Sequence, residues 1–190
     1  MAKTDTITIR VGPRPGDLGT VLAMHGKLYA REFGYDERFE AHVADGLTAY
    51  ADALGTARDA GAPGPGPLWL AEDGDRTLGT IAMVAVDEHT TQIRWFLVDP
   101  ATRGRGIGSR LLHTALDHAE TDGFRHVLLW TVDGLAAAQH LYTGAGFRLT
   151  ERLPGRRFGQ QLVELRYDLD LAARVRGQGV ASARRPAALA

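Results

Sequence analysis

The chain has 190 residues, of which 44% are hydrophobic and 24% are charged, and its formal net charge is −1. These values are typical of a single soluble globular domain with a substantial core. The balanced charge argues against nucleic acid and anionic membrane surfaces as partners. The lack of cysteine excludes disulfides, thiolate catalysis and cysteine-bound metals.

The N-terminal residues form no apolar leader, and no run approaches the roughly 18 apolar residues of a membrane span. We therefore expect a cytoplasmic protein. Lys3 and Lys27 are the only lysines among 22 basic residues, and this bias, with abundant alanine and glycine, suggests a bacterial genome rich in GC. The histidines show no spacing typical of a metal site, so we expect no metal.

The first half of the chain predicts one strand, two helices and then three strands. Residues 6–11 alternate in polarity and end at a break rich in glycine and proline. Asp17 and Asp36 each precede an apolar pattern of helical spacing and are suited to capping it. Residues 61–67 hold three glycines and three prolines and predict a loop. Apolar runs then predict strands at 68–72, 77–86 and 91–98.

A loop rich in arginine and glycine follows the last of these strands. Residues 103–108 read R-G-R-G-I-G and lead into an amphipathic helix. A strand, a glycine loop and a helix N-terminus are together suited to holding a pyrophosphate, because glycines allow close approach and the free N–H groups point at the anion. The loop has no lysine and so is not a P-loop, and Ser109 stands where the dinucleotide fingerprint needs its third glycine.

The loop resembles a motif of a known enzyme family. It fits [Q/R]-x-x-G-x-[G/A], the acetyl-coenzyme A loop of the GNAT N-acetyltransferases. Residues 136–147, A-A-A-Q-H-L-Y-T-G-A-G-F, resemble the second helix-to-strand motif of the same family. A strand-like run at 126–131 separates the two motifs, and both together in this order are far more specific than either alone.

The remaining pattern agrees with the fold that this resemblance implies. It predicts a helix from 107, a strand at 126–131, a helix at 135–145 and strands at 147–153 and 160–169. The order β-α-α-β-β-β-α-β-α-β-β is that of the α/β (α+β) acyl-CoA N-acyltransferase fold, a mixed, mostly antiparallel central sheet flanked by helices. We assign residues 5–171 to this single domain and expect 172–190, which lack periodicity, to form a disordered tail.

The resemblance implies acetyl-CoA as cosubstrate and a set of residues that bind it. The strand end would hold the pantetheine arm at a β-bulge, where one N–H could also polarise the acetyl carbonyl. The loop would hold the pyrophosphate. The implied residues are Phe96, Leu97, Val98, Arg103, Gly104, Arg105, Gly106, Ile107, Gly108 and Ser109. The family often carries asparagine near Val132, which valine cannot replace, and Asp133 is suited to capping the following helix instead.

Tyr142 occupies the position at which a phenol of the family often protonates the departing coenzyme A thiolate. Its usual pKa of about 10 is close to that of an alkyl thiol, which makes this transfer feasible. Packing against the cofactor or core is the alternative reading. No general base stands out in the sequence, and an acceptor that arrives deprotonated needs none. The candidate pool is His25, Glu32, Asp87, Glu88 and His89.

The first two helices wall the acceptor site in this family, and residues 29–37 are aromatic and acidic. Tyr29, Glu32 and Tyr35 are therefore expected to bind the acceptor, in a setting suited to a cationic amine. A helix end with solvated charges and ordinary core aromatics is the alternative. The loop at 61–67 is expected to help cover the pocket.

The implied function is an acetyl-CoA-dependent N-acetyltransferase that acetylates a primary amine by direct attack in a ternary complex. The material available to cover a pocket favours a small-molecule amine. The alternatives are a protein or peptide N-acetyltransferase and a non-catalytic, acyl-CoA-binding sensory domain. The resemblance also allows a homodimer formed through the last strands. Trp95 and Trp130 are expected to lie in the core.

Overall fold

The computed structural model describes residues 7–172. Within that range the chain forms seven strands, four α-helices and one short 3-10 helix, in the order that the sequence predicts. The elements are β1 (Thr8–Gly12), α1 (Asp17–Phe33), α2 (Glu37–Ala60), β2 (Leu68–Asp73), β3 (Arg76–Ala85), β4 (Thr90–Val98), the 3-10 helix (Pro100–Thr102), α3 (Ile107–Thr121), β5 (His126–Val132), α4 (Ala136–Gly144), β6 (Arg148–Arg157) and β7 (Gln160–Asp170). The fold class is confirmed, while the predicted tail lies almost wholly outside the described residues.

The strands form one sheet in the order β1-β2-β3-β4-β5-β7-β6. All neighbouring pairs are antiparallel except β4 and β5, which pair in parallel from Thr90 opposite His126 to Ile93 opposite Leu129. Beyond Ile93 the two strands no longer pair, so the sheet divides at its centre. A parallel pair needs a crossover, and α3 supplies it.

Helices cover both faces of the sheet. Alternate residues of β2 point to opposite faces, and accordingly Trp69 belongs to the cluster that includes the buried face of α3, whereas Leu68 packs with α1 and α2. Leu111, Leu112 and four further apolar residues of α3 are at most 2% exposed, which confirms its predicted amphipathic face. The core therefore lies in two layers, one on each side of the sheet.

The two predicted helix caps in the first half differ in outcome. Asp36 caps α2 as expected, since its side chain accepts from the Arg38 N–H at 3.2 Å. Asp17 does not cap α1, because the cap position belongs to Gly16, with φ 96°. The Asp17 carboxylate instead accepts from both terminal nitrogens of Arg10, at 2.8 and 2.7 Å. It thereby ties β1 to the start of α1.

Candidate functional site

A bulge in β4 shapes the centre of the molecule. The register of β3 against β4 shifts between Thr80, which pairs with Leu97, and Ala82, which pairs with Arg94. Trp95 lies in the bulge with φ 47°, a backbone conformation that non-glycine residues rarely adopt. The buried Thr80 hydroxyl donates to the Trp95 carbonyl oxygen at 2.7 Å and helps hold it there. The bulge thus lies one residue before the segment 96–98 at which the sequence predicted it.

The bulge coincides with the division of the sheet. β4 stays paired with β3 up to Val98, while β5 stays paired with β7 up to Val132. Because neither strand pairs with the other past Ile93 and Leu129, a gap opens between them. The gap connects two cavities that lie at the sheet's centre.

The first cavity, which we call the loop groove, has a volume of about 800 Å³. It lies between the end of β4, the glycine loop and the start of α4. Of the ten residues expected to bind the cofactor, nine line it, and Arg105, which is exposed, does not. The nine are Phe96, Leu97, Val98, Arg103, Gly104, Gly106, Ile107, Gly108 and Ser109.

The loop groove has the features of an anion site. Gly106 precedes α3 with φ 74°, and no side chain caps the first N–H groups of the helix. Uncapped N–H groups and the helix dipole favour a bound anion. Arg103 lies beside them, and its Nη2 donates to Glu32 Oε2 at 3.0 Å. Glu32 therefore lines the loop groove rather than the acceptor side, contrary to the sequence-based expectation.

The second cavity, which we call the aromatic cavity, has a volume of about 410 Å³ and lies on the far side of the gap. Its walls come from α1, α2, β4, β5, α4 and the β6–β7 hairpin. Tyr29 and Tyr35 line it, as expected of acceptor-binding residues. Tyr29, Phe96 and Tyr142 line both cavities, so the two meet at these three side chains.

The β6–β7 hairpin closes one side of the aromatic cavity, a contribution that sequence reasoning missed. Phe158 stands at the hairpin turn with φ 53° and is only 8% exposed. Its ring centroid lies 5.3 Å from that of Tyr35 and 5.1 Å from that of Phe39. The Phe158 carbonyl oxygen accepts from the Asp36 N–H at 3.3 Å. The signal available in the sequence was an aromatic residue followed by glycine between two predicted strands.

Tyr142 stands at the junction of the two cavities. It lies on α4, and its ring is surrounded by those of Phe96, Phe147 and Tyr167, with centroids at 6.1, 6.0 and 5.8 Å. Burial raises the pKa of the Tyr142 phenol well above its usual value. The phenol is therefore protonated throughout the neutral range, as a proton donor must be.

Most of the base candidates do not suit that role. His25 lines the aromatic cavity, but its Nδ1 donates to the Val21 carbonyl oxygen at 2.8 Å and burial lowers its pKa to about 4. The turn residues at 87–89 line neither cavity. His42, outside the predicted pool, lines the aromatic cavity. Burial, assisted by Arg157 and Arg94, lowers its pKa, so its imidazole is neutral at pH 7.

Three further expectations need correction. The loop at 61–67 lines neither cavity, because its backbone is bound elsewhere: the Tyr50 hydroxyl donates to the Gly66 carbonyl oxygen at 2.8 Å. Trp130 is 37% exposed and lines the aromatic cavity, whereas Trp95 is buried as predicted. Asp133 does not cap α4, since Leu135 holds the cap position and the Asp133 carboxylate binds Arg152 at 2.9 Å.

Two further observations concern the described residues as a whole. Between residues 7 and 172, no three histidine, aspartate or glutamate side chains are grouped so that they could hold a metal ion. In the same range, no helix has both the length and the apolar character needed to cross a membrane.

The fold and the glycine-loop groove are those of an acyltransferase that uses acyl-coenzyme A. Comparison with known proteins identifies the family. The model of the Acetyltransferase (GNAT) family matches residues 32–147. This match covers more than half of the chain and contains both motifs, and the protein belongs to the GNAT acetyltransferase family.

Individual relatives agree with this assignment. The chain is 30% identical to mycothiol acetyltransferase from Thermobispora bispora over 141 residues, which cover 74% of the chain and 41% of that relative. It is 33% identical to N-acetyltransferase 8B from Homo sapiens over 88 residues, which cover 44% of the chain and 39% of that relative. The matched region thus spans about two fifths of the length of these relatives.

The fold also matches solved structures. A putative acetyltransferase from Salmonella typhimurium, solved with its cofactor acetyl-CoA, superimposes with a TM-score of 0.65 at 20% identity. The match covers 87% of this chain and 94% of that one. At this level of identity the likeness concerns the fold.

Proposed function

We propose that the protein is an acetyl-CoA-dependent N-acetyltransferase that acetylates the primary amine of a small molecule in a ternary complex. One observation carries the proposal: a groove suited to a pyrophosphate and a cavity lined by aromatic residues meet at the gap between β4 and β5. A thioester entering from one side would meet an amine entering from the other.

In this proposal the loop groove holds the coenzyme. The uncapped start of α3 and the glycine loop would bind the pyrophosphate, and the pantetheine arm would run along residues 96–98 into the gap. Since β4 has no partner on the β5 side past Ile93 within the described chain, its backbone groups there can bind the arm as an added strand would. The acetyl-CoA in the related Salmonella structure supports this choice of donor.

The reaction is a direct transfer. The amine nitrogen attacks the thioester carbonyl carbon, the new C–N bond forms, and the C–S bond breaks. A backbone N–H at the bulge of β4 would stabilise the oxyanion. Tyr142 would give its proton to the departing thiolate, since it lies at the junction of the two cavities and its phenol is protonated at neutral pH.

The attacking amine must also lose a proton, because an alkylamine with a pKa of about 10 is mostly protonated at pH 7. Among the described residues of the aromatic cavity, His42 suits this step best. Its imidazole is neutral at pH 7 and exposed. His25, by contrast, is only 4% exposed with its Nδ1 bound to Val21, and Glu164 is paired with Arg157 at 2.6 Å. We propose His42 as the acceptor of this proton.

The size of the aromatic cavity supports a small molecule over a peptide. Phe158 and the turn that carries it lie against Tyr35 and Phe39 and wall one side of the cavity, whose volume of about 410 Å³ suits a small ligand. A non-catalytic sensory domain would not need a proton donor at the junction.

A cytoplasmic location and a homodimer formed through the last strands remain predictions, as does the assignment of residues 5–171 to one domain.

Two measurements on the same protein test this function. Calorimetry should show acetyl-CoA binding, and free-thiol release should show turnover on at least one class from a panel of amines, amino acids, aminoglycosides and peptides. Binding without turnover on any class would favour the sensory alternative. Turnover on peptides alone would favour the peptide alternative, and absence of acetyl-CoA binding would refute the proposal.

A further inference from the structure

Arg94 places a positive charge at the wall of the aromatic cavity. It is the last residue of β4 before the bulge, half-buried, and its guanidinium carbon lies 5.2 Å from the centroid of the Trp95 ring. The absence of a side chain at Gly46 makes room for it, because a Cβ built there would lie 2.7 Å from Arg94 Nη2. A residue of α2 therefore leaves space for this guanidinium at the cavity wall.

No carboxylate among the described residues pairs with Arg94. Arg157 and Glu164 on the hairpin pair with each other, with Nη1 and Oε1 separated by 2.6 Å. Burial lowers the pKa of Arg94, yet a guanidinium stays charged in proteins. A charge that is partly removed from water and has no oppositely charged partner is unfavourable. A bound anion would compensate this cost.

The charge balance of the aromatic cavity is consequently positive. Arg157 and Glu164 cancel, the two histidines are neutral at pH 7 because their pKa values are lowered, and Arg94 remains. This reverses the sequence-based expectation of an acidic site for a cationic amine, since Glu32 lies in the loop groove and binds Arg103. A polycation such as an aminoglycoside would meet a positive wall.

We propose that the acceptor is an amino carboxylate, and that Arg94 binds its carboxylate while the amine faces the gap between β4 and β5. The inference rests on the proposed acetyl transfer for the role of the amine, but the carboxylate site stands on the cavity alone. The guanidinium fork can bind a carboxylate through two parallel hydrogen bonds.

The position of Arg94 on β4 fits a ligand of this size. Arg94 stands two residues before Phe96, which lies at the junction, and the bulge at Trp95 lies between them. In an α-amino acid the carboxylate and the amine share one carbon atom, so the long arginine side chain would extend toward the junction to bind the carboxylate while the amine faces the gap. Tyr35, Phe39 and Phe158 would then surround its side chain, which favours an apolar or aromatic amino acid.

A binding experiment without acetyl-CoA tests the carboxylate site. Trp95 and Trp130 line the cavity, so intrinsic fluorescence can follow titration with 3-phenylpropionate and with its uncharged amide. We expect the acid to bind at least ten-fold more tightly than the amide. Arg94→Gln should abolish that preference, and Gly46→Ala, a favourable substitution within a helix, should weaken it by displacing the guanidinium.

The matched control is Arg156→Gln, which removes an exposed arginine of β6 that lines neither cavity. It should leave the acid preference intact, and thermal melts should show that all three variants fold. Equal affinity for acid and amide, an acid preference that survives Arg94→Gln, or no binding of the acid would each overturn the inference.

Turnover separates this inference from the proposed function. Free-thiol release with phenylalanine and with phenylalaninamide should give a KM at least ten-fold lower for the acid, and Arg94→Gln should remove the difference with little effect on acetyl-CoA binding. Turnover of uncharged amines without this preference would refute the amino carboxylate and leave acetyl transfer standing. Acid-selective binding without any turnover would uphold the anion site and refute the transferase.

Discussion

The loop groove and the aromatic cavity meet at three side chains, yet the chain builds them in different ways. Nearly half of the residues that line the loop groove come from one stretch, residues 96–109, and much of its chemistry is backbone: glycines and a helix N-terminus. The aromatic cavity takes its walls from six separate parts of the fold, and its chemistry is carried by side chains. A contiguous backbone site leaves a pattern in the sequence, whereas a site assembled by tertiary structure leaves almost none.

The two cavities also differ in electrostatics. In the loop groove Arg103 is paired with Glu32, so a phosphate must compete with a carboxylate already present. In the aromatic cavity Arg94 has no such partner among the described residues. Substitutions that affect only one cavity therefore test whether the two act as separate binding sites.

The largest expected effect concerns the loop groove alone. Gly106→Glu should weaken acetyl-CoA binding at least 100-fold, because it places a carboxylate beside the helix N-terminus where the pyrophosphate would lie. A Cβ built at Gly106 meets no atom within 4 Å, so the substitution adds backbone strain at the positive φ but no steric clash of the Cβ. Calorimetry measures the loss, and binding of 3-phenylpropionate in the aromatic cavity should be unchanged.

Gly123→Glu is the matched control for this variant. Gly123 also has a positive φ, 83° against 74° at Gly106, and an open Cβ direction, but it lies beyond the other end of α3 and lines neither cavity. It should cost similar backbone strain and leave acetyl-CoA binding intact. Unchanged affinity in Gly106→Glu, or equal losses in both variants, would refute the assignment of the loop.

One strand of the β6–β7 hairpin shows how far the structure could be predicted from the sequence. Residues 147–153 were predicted as a strand that stops before Pro154, and proline is usually confined to edge strands and strand ends. β6 instead continues to Arg157, since it is the edge strand of the sheet and the missing N–H of Pro154 costs it no partner. Because the predicted strand was too short, Arg157 and Phe158 were not recognised as residues that form one wall of the aromatic cavity.

Other misses have the same origin in tertiary structure. Nothing local distinguishes Arg94 from the other arginines, and only the fold shows that Glu164 is committed to Arg157. Glu32 was predicted at the acceptor because it neighbours Tyr29 in sequence, yet Tyr29 lines both cavities whereas Glu32, one turn further along α1, lines only the loop groove. By contrast, the element order and the glycine loop were predictable because both depend on local periodicity and backbone chemistry.

The next effect concerns the junction, which both cavities share. Tyr142→Phe should lower kcat by about 100-fold, within the usual range for a lost general acid, and change the Kd for acetyl-CoA little because the ring is retained. Steady-state thiol release measures kcat, and calorimetry measures Kd.

Tyr167→Phe provides the control, because Tyr167 is equally buried and its ring lies 5.8 Å from that of Tyr142 but lines neither cavity. It should retain nearly full turnover. If Tyr142→Phe retains the same kcat across the pH range, Tyr142 is a packing residue and the proton reaches the thiolate by another route.

The smallest expected effect concerns the β4 bulge, on which both cavities depend. Substitutions of two buried threonines, one bound to the bulge and one not, separate its contribution. Thr80 and Thr91 are both buried on neighbouring strands, but the Thr80 hydroxyl donates to the Trp95 carbonyl oxygen, whereas the Thr91 hydroxyl has no partner among the described residues. Thr80→Val leaves a buried carbonyl without its donor, which costs about 1–3 kcal/mol of unfolding free energy. Thr91→Val removes an unsatisfied hydroxyl and should be neutral or stabilising.

For a domain of this size each kcal/mol corresponds to a change in Tm of about 2–4 °C, so thermal melts resolve the two variants. If the bulge is the common element, Thr80→Val should also weaken both acetyl-CoA and 3-phenylpropionate binding, while Thr91→Val changes neither. Equal Tm values would mean that other contacts of Trp95, such as its ring packing with Tyr50 at 5.3 Å, hold the bulge without the hydroxyl. Loss of binding in one cavity only would show that the cavities do not depend equally on the bulge.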